Sequence, residues 1–171
     1  MVNDANVIRA DVKARNGIIH AIDNVLFPPD KNIVELALSL NPEFSILVQA
    51  VIKAGLTEVL ATGGPFTVFA PTNAAFAALL GELGATSLDD ISVDVLTKVL
   101  LYHVVDGRIY SSDLVSGPVS ALNGSFEVSV ESLTITDFNG RIANLVPSLL
   151  NVQATNGVVH VIDRVILPDL N

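Results

Sequence analysis

Three histidines and a scatter of carboxylates are the only residues from which this sequence could assemble reactive chemistry. A general base must sit within hydrogen-bond reach of its substrate and be oriented by a neighbour. His160 and Asp163 stand three apart in an apolar run, which puts them on opposite faces of a strand and disfavours a dyad. His103 and Asp106 could meet at a helix end, but spacing alone does not make a base, and that histidine is expected to be structural or at the surface. His20, His103 and His160 suggest a metal site only until His20 and His160 are seen to be matching positions of a repeat, which duplication explains better than ligation. Neither Asp89-Asp90 nor the scattered aspartates match a calcium loop. No G-x-S-x-G, H-E-x-x-H, G-x-G-x-x-G or phosphate loop occurs, and Gly63-Gly64-Pro65 reads as a turn. Cysteine is absent, which removes thiolate catalysis and Cys-ligated zinc. No catalytic residue, cofactor or metal is expected.

The bulk composition narrows the partners. Half of the 171 residues are apolar, so the chain folds around a full core, and with seven Phe, two Tyr and no Trp that core is aliphatic. Acidic residues outnumber basic ones 18 to 9, and no run of Lys and Arg supplies the basic footprint of a nucleic-acid binder or an anionic-membrane binder. No apolar run reaches membrane-spanning length, and "MVNDANVIRADV" has neither the basic nor the apolar region of a signal peptide. Asn123-Gly124-Ser125 is formally a glycosylation acceptor, although a hairpin turn is its expected role.

The strongest internal signal is a repeat. Asp11–Pro28 laid over Asn151–Pro168 gives nine identities in 18 positions, including Asn16-Gly17, His20 and Asp23 against Asn156-Gly157, His160 and Asp163. Upstream, Ala5-Asn6 matches Ala143-Asn144 if the later copy carries two extra residues, and nothing between 31 and 140 recurs. The expected organisation is therefore a partial copy over residues 1–30 and a complete domain over 31–171.

Helices should fill the first half of that domain. Leu36, Leu40, Phe44, Leu47 and Val51 recur at helical spacing, with a helix start predicted at Asn41-Pro42 and an end at Gly55. "FTVFA" reads as a buried strand, Thr72 as the cap of a helix over 73–80, and Ser87 with Asp90 as the box opening a helix that runs through Tyr102. Beyond Gly107 the pattern becomes short alternating runs with Asn-Gly turns at "LNGS" and "FNGR", and a long closing strand at "VVHVIDRVIL". The fold class is α+β, with helices packed on antiparallel or mixed sheets.

"TVFAPTNAAF" at 67–76, "LLYHVV" at 100–105 and "NGVVHVIDRVILP" at 156–168 resemble, in order and spacing, the motifs of the fasciclin (FAS1) domain family. The resemblance implies a FAS1-like fold, N-terminal helices around a wedge of two β-sheets, in a secreted, periplasmic or surface protein that is no enzyme. It implies partner contact at Leu100, Leu101, Tyr102, His103, Val104 and Val105, and at an Asp-Ile pair whose place is taken here by Asn151 and Val152. The missing acid weakens an integrin-like reading, though the partial copy keeps one as Asp11-Val12. Thr67, Phe69, Pro71, Thr72, Asn73, Phe76, Asn156, Gly157, His160, Asp163 and Pro168 are then motif residues that hold the fold, with Asp163 expected to be buried and hydrogen-bonded.

The function expected is a non-catalytic adhesion or protein-interaction module. Its partners would be matrix or cell-surface proteins, polysaccharides or neighbouring FAS1 domains. The alternative is a carbohydrate or small-molecule binding module, against which the lack of Trp counts. The apolar residues Ile18, Ile19, Ile22, Val25, Leu26 and Phe27 of the partial copy need cover, so residues 16–29 are expected to pack on the following domain or to self-associate.

Overall fold

Two short segments are buried at every position because both of their faces are covered. In the computed structural model, which describes residues 5–25 and 28–170, these are β3 (Phe66–Pro71) and β10 (Gly157–Ile162), and all their residues are buried. They pair in parallel, from Gly157 beside Phe66 to Ile162 beside Pro71. β4 (Val104–Asp106) and β9 (Val152–Ala154) pair antiparallel at the two sides, giving a mixed sheet of order β4-β3-β10-β9. A second sheet, β5 (Gly117–Ala121), β6 (Gly124–Ser129), β7 (Thr134–Thr136) and β8 (Ile142–Asn144), is an antiparallel meander. The Asn123-Gly124 and Asn139-Gly140 turns fall at its hairpins, as the sequence predicts. The Asn123 amide donates to the Lys98 carbonyl at 3.0 Å, so that residue ties the turn to a helix.

Alternation along β3 and β10 divides the interior in two. Phe66, Val68, Ala70, Val159 and Val161 meet the helices, while Phe69 and Ile162 meet Phe126, Val128, Ile135 and Leu145 of the second sheet. The helices are α1 (Ile33–Ser39), α2 (Ser45–Lys53), α3 (Thr57–Thr62), α4 (Asn73–Leu83) and α5 (Val93–Tyr102). The α+β expectation of helices around two sheets is met.

Three boundaries differ from the sequence reading. The second helix starts at Ser45 instead of Asn41-Pro42, because its cap comes from a distant residue: Asn73 Oδ1 accepts from Ile46 N–H at 2.9 Å, and its amide donates to Ser45 Oγ and the Pro42 carbonyl. Ser87 and Asp90 do form a reciprocal box, but it closes only a single 3₁₀ turn, Leu88–Asp90. Helix α5 begins afresh, capped by Ser92, whose Oγ accepts from Val95 N–H. The closing strand is short, ending at Ile162, where Asp163 turns the chain away.

The N-terminal residues form a separate two-stranded hairpin, β1 (Val7–Ala14) and β2 (Gly17–Ile22). Among the described residues, none of its side chains belongs to either core.

Candidate interaction site

The motif residues are spread along the paired β3 and β10 and the turns at both of their ends. Thr67 Oγ1 donates to the Gly107 carbonyl and accepts from Ile109 N–H, both at 2.8 Å, inside a fully buried site. Phe69 lies edge-on to Phe126 and beside the His160 ring. Phe76 and Pro71 are buried, and Thr72 caps α4 as predicted, its Oγ1 accepting from Ala75 N–H. Asn156 joins four segments: its Oδ1 accepts from Ile33 N–H at 3.0 Å, its amide donates to the Leu60 and Gly63 carbonyls, and its own carbonyl accepts from Phe66 N–H. Gly157 must be glycine, since a Cβ there would run into the Phe66 carbonyl and the Ile33 side chain.

Both buried histidines are structural nodes. His103 Nε2 accepts from Ile166 N–H at 3.1 Å, so Nδ1 carries the proton and donates to the Val99 carbonyl. Burial pushes its pKa down to about 4. His160 Nδ1 accepts from Asn151 N–H and Nε2 donates to the Ile109 carbonyl, and burial lowers its pKa as well. Neither ring has a proton position free for catalysis. No hydrogen bond or ion pair joins His160 to Asp163 or His103 to Asp106, and no group of three metal-ligating side chains forms among the described residues.

The Tyr-His segment is interior. Leu100, Tyr102, His103, Val104 and Val105 are buried, the Tyr102 hydroxyl donating to the Ser125 carbonyl at 2.6 Å. Only Leu101 of that run keeps partial exposure, as do Asn151 and Val152. Asn151 holds a left-handed backbone at φ 58°, with its Oδ1 accepting from Ser111 N–H. A partner can touch these three; it reaches the rest only if α5 and β4 leave the core. The structure corrects one motif residue: Asp163 is exposed, although it accepts the expected bonds, from Asn144 N–H and the Asn144 amide, both at 2.7 Å.

One essential group escaped the sequence reading. Asp137 is buried; its Oδ1 accepts from Asn139 and Arg141 N–H, and its Oδ2 accepts from Leu167 N–H at 2.9 Å. With His103 holding Ile166, it pins the segment before Pro168, which is itself buried. Its signal was the spacing D-x-N-G, an aspartate two residues before an Asn-Gly turn.

The N-terminal hairpin reproduces the closing hairpin bond for bond. Asn6 N–H and amide donate to the two Asp23 oxygens at 2.7 and 3.0 Å, as Asn144 does to Asp163, and Asp23 N–H returns a bond to the Asn6 carbonyl. Asp11, at φ 57°, donates its N–H to His20 Nδ1 at 3.2 Å, as Asn151 does to His160. The registers Val12–Ile19, Lys13–Ile18 and Ala14–Gly17 repeat Val152–Val159, Gln153–Val158 and Ala154–Gly157. The surroundings differ. Ile18, Ile19 and Val25 are 61%, 57% and 75% exposed, where Val158, Val159 and Val165 are 0%, 7% and 0% exposed. Covering an aliphatic side chain of this size stabilises by about 1.5–3 kcal/mol, so this hairpin has a strong tendency to find a partner. Leu26 and Phe27, expected to share that need, lie outside the described residues.

Comparison with known proteins decides the family. The Fasciclin domain is matched by residues 1–28 and again by 42–168. The chain belongs to the fasciclin domain family. It is 45% identical to protein sll1483 of Synechocystis sp. over 81% of this chain and 74% of that protein. It is 35% identical to the transforming growth factor-beta-induced protein ig-h3 of Sus scrofa, over 99% of this chain but only 24% of that protein. Among solved structures it resembles a FAS1 domain pair from the insect cell adhesion molecule fasciclin I, with a TM-score of 0.66 at 24% identity, over 95% of this chain and 60% of that one. It is thus a module of the fasciclin type, with the fold of that family. Among the described residues no helix is long and apolar enough to cross a membrane. A cavity of about 110 Å³ between α1, α2, α3 and β3 presents only apolar surface, and it is well below the ~300–1,000 Å³ of ordinary ligand sites.

Proposed function

We propose that this fasciclin module works outside the cytoplasm, at the cell surface, in the periplasm or in the extracellular matrix, and that it binds its partner through the N-terminal hairpin. Residues 31–171 act as the complete fasciclin domain, and residues 1–30 as a closing segment of the kind that would end a preceding one. The observation that carries this reading is the exposure of Ile18, Ile19 and Val25 on a hairpin whose copy buries the matching Val158, Val159 and Val165. Natural partners are a matrix or cell-surface protein, a polysaccharide, a neighbouring fasciclin domain, or a second copy engaged through residues 16–29. Leu101, Asn151 and Val152 form a secondary contact, the part of the family's interaction segment that a partner can reach. The wild-type chain and an Ile18→Ser/Ile19→Ser variant, passed over immobilised matrix proteins, polysaccharides and the chain itself, test the reading. Saturable binding to a protein surface is expected, weakened at least ~10-fold by the two serines, which equals about 1.4 kcal/mol. Absence of saturable binding on every surface, or binding that ignores the serines, rejects it.

A further inference from the structure

We propose that the N-terminal hairpin is a donor element: it fills the closing-hairpin position of a second fasciclin body whose own hairpin is absent or displaced, with β2 running parallel to that body's β3. The inference rests on the hairpin being the partner-binding element and specifies what it binds. Gly17 carries the argument. In the free hairpin a Cβ at Gly17 would meet nothing within 4 Å, and its backbone is not left-handed, so the hairpin itself has no need of glycine there. At the matching Gly157 the slot beside Phe66 and Ile33 leaves no room for any side chain. Gly17 therefore meets a requirement that exists only inside a fasciclin body.

The remaining positions fit the same slot. Ile18 and Ile19 stand where Val158 and Val159 are buried, and Ala21 stands where Val161 is, so two positions gain a methylene and one becomes smaller. Such near-conservative swaps are tolerated in a packed core. His20 already has the Nδ1 bond of His160, which leaves its Nε2 oriented for the acceptor's Ile109 carbonyl. Asp11 replaces Asn151 and keeps an acceptor oxygen for Ser111 N–H. Charge favours the pairing too. Residues 5–25 carry Arg9, Lys13 and Arg15 against Asp11 and Asp23, a net +1, whereas residues 31–170 carry six bases against 14 acids, a net −8. Because the hairpin already has its bonds and register, little ordering remains to be done on docking. Residues 157–168 occupy the slot beside β3 in this chain, so the N-terminal hairpin is not what closes that body.

The test uses full-length chains. A Gly17→Ala/Gly157→Ala double variant is the acceptor: its own closing hairpin is forced out of the slot, and its N-terminal hairpin cannot donate. It is refolded from urea alone, with wild type, or with Gly17→Ala, and sedimentation velocity reads the masses. Wild type is expected to run as one chain, the mixture with wild type to contain a two-chain species, and the mixture with Gly17→Ala to lack it. No two-chain species with wild type overturns the proposal. A two-chain species undiminished with the Gly17→Ala donor also overturns it. That second result leaves a partner-binding hairpin standing, because packing of the Ile18 or Ile19 side chain needs no glycine.

Discussion

At the residue level, the side chains that looked most like chemistry are structural because each of their polar atoms is already committed. His103 and Asp137 hold consecutive N–H groups, those of Ile166 and Leu167, and so fix the last buried turn of chain against the second sheet. Asp137→Asn replaces an acceptor with an amide that must point its NH₂ at Leu167 N–H or at the turn. It should destabilise the fold by about 2–3 kcal/mol, since a buried donor loses its partner. Urea unfolding followed by circular dichroism measures the loss; a change below ~0.5 kcal/mol would show that the carboxylate is dispensable. Thr67 illustrates the same logic without charge, one hydroxyl serving both Gly107 and Ile109.

Among the elements, the two hairpins form a natural controlled comparison, with the same bonds in different surroundings. Val159→Ser puts a hydroxyl into the helix-side core, and it should cost about 2–4 kcal/mol in unfolding free energy. Ile19→Ser alters a side chain that is already more than half exposed, and it should stay within ~0.5 kcal/mol in the isolated chain. Equal losses for both would mean that the N-terminal hairpin is as deeply buried in solution as its copy. The elements of the body depend on one another in the same way: α2 starts where Asn73 of α4 allows it to start.

For the whole molecule, pH should act in two separate windows. His103 and His160 are neutral in the fold with lowered pKa values, while in the unfolded chain they titrate near 6.5. The unfolded state therefore binds more protons below about 6.5. The contribution of His103 is complete above that value and falls as the pH drops toward about 4, by ~1.4 kcal/mol per pH unit, and His160 adds a loss of the same sign. Glu82, whose bond from Arg164 holds its pKa below the usual 4.5, adds a second loss at lower pH still. Urea midpoints should be level from pH 7 to 8 and lower at pH 5; a level profile down to pH 4.5 would mean that the histidines charge without unfolding the protein. The body's net −8 disfavours contact between two bodies, so the proposed association would run through the less acidic hairpin.

What was legible in the sequence is what local chemistry dictates. The largely apolar runs of β3 and β10, the Thr72 cap and the Asn-Gly turns show themselves within a dozen residues, the repeat shows itself as one short stretch read twice, and with the fasciclin motifs they point to the fold. The places where that reading failed are long-range. Asn73 moves a helix start 28 residues away, Asp137 is satisfied by Leu167 30 residues on, and Asp163 is exposed because Asn144 reaches it at the surface. The candidate site was half legible: the copy announced the hairpin, but not that one version is buried and the other bare. Identical bonding gives identical hairpins. Whether a hairpin becomes core or contact surface depends on the sheet and helices that surround it, and only the tertiary structure decides that.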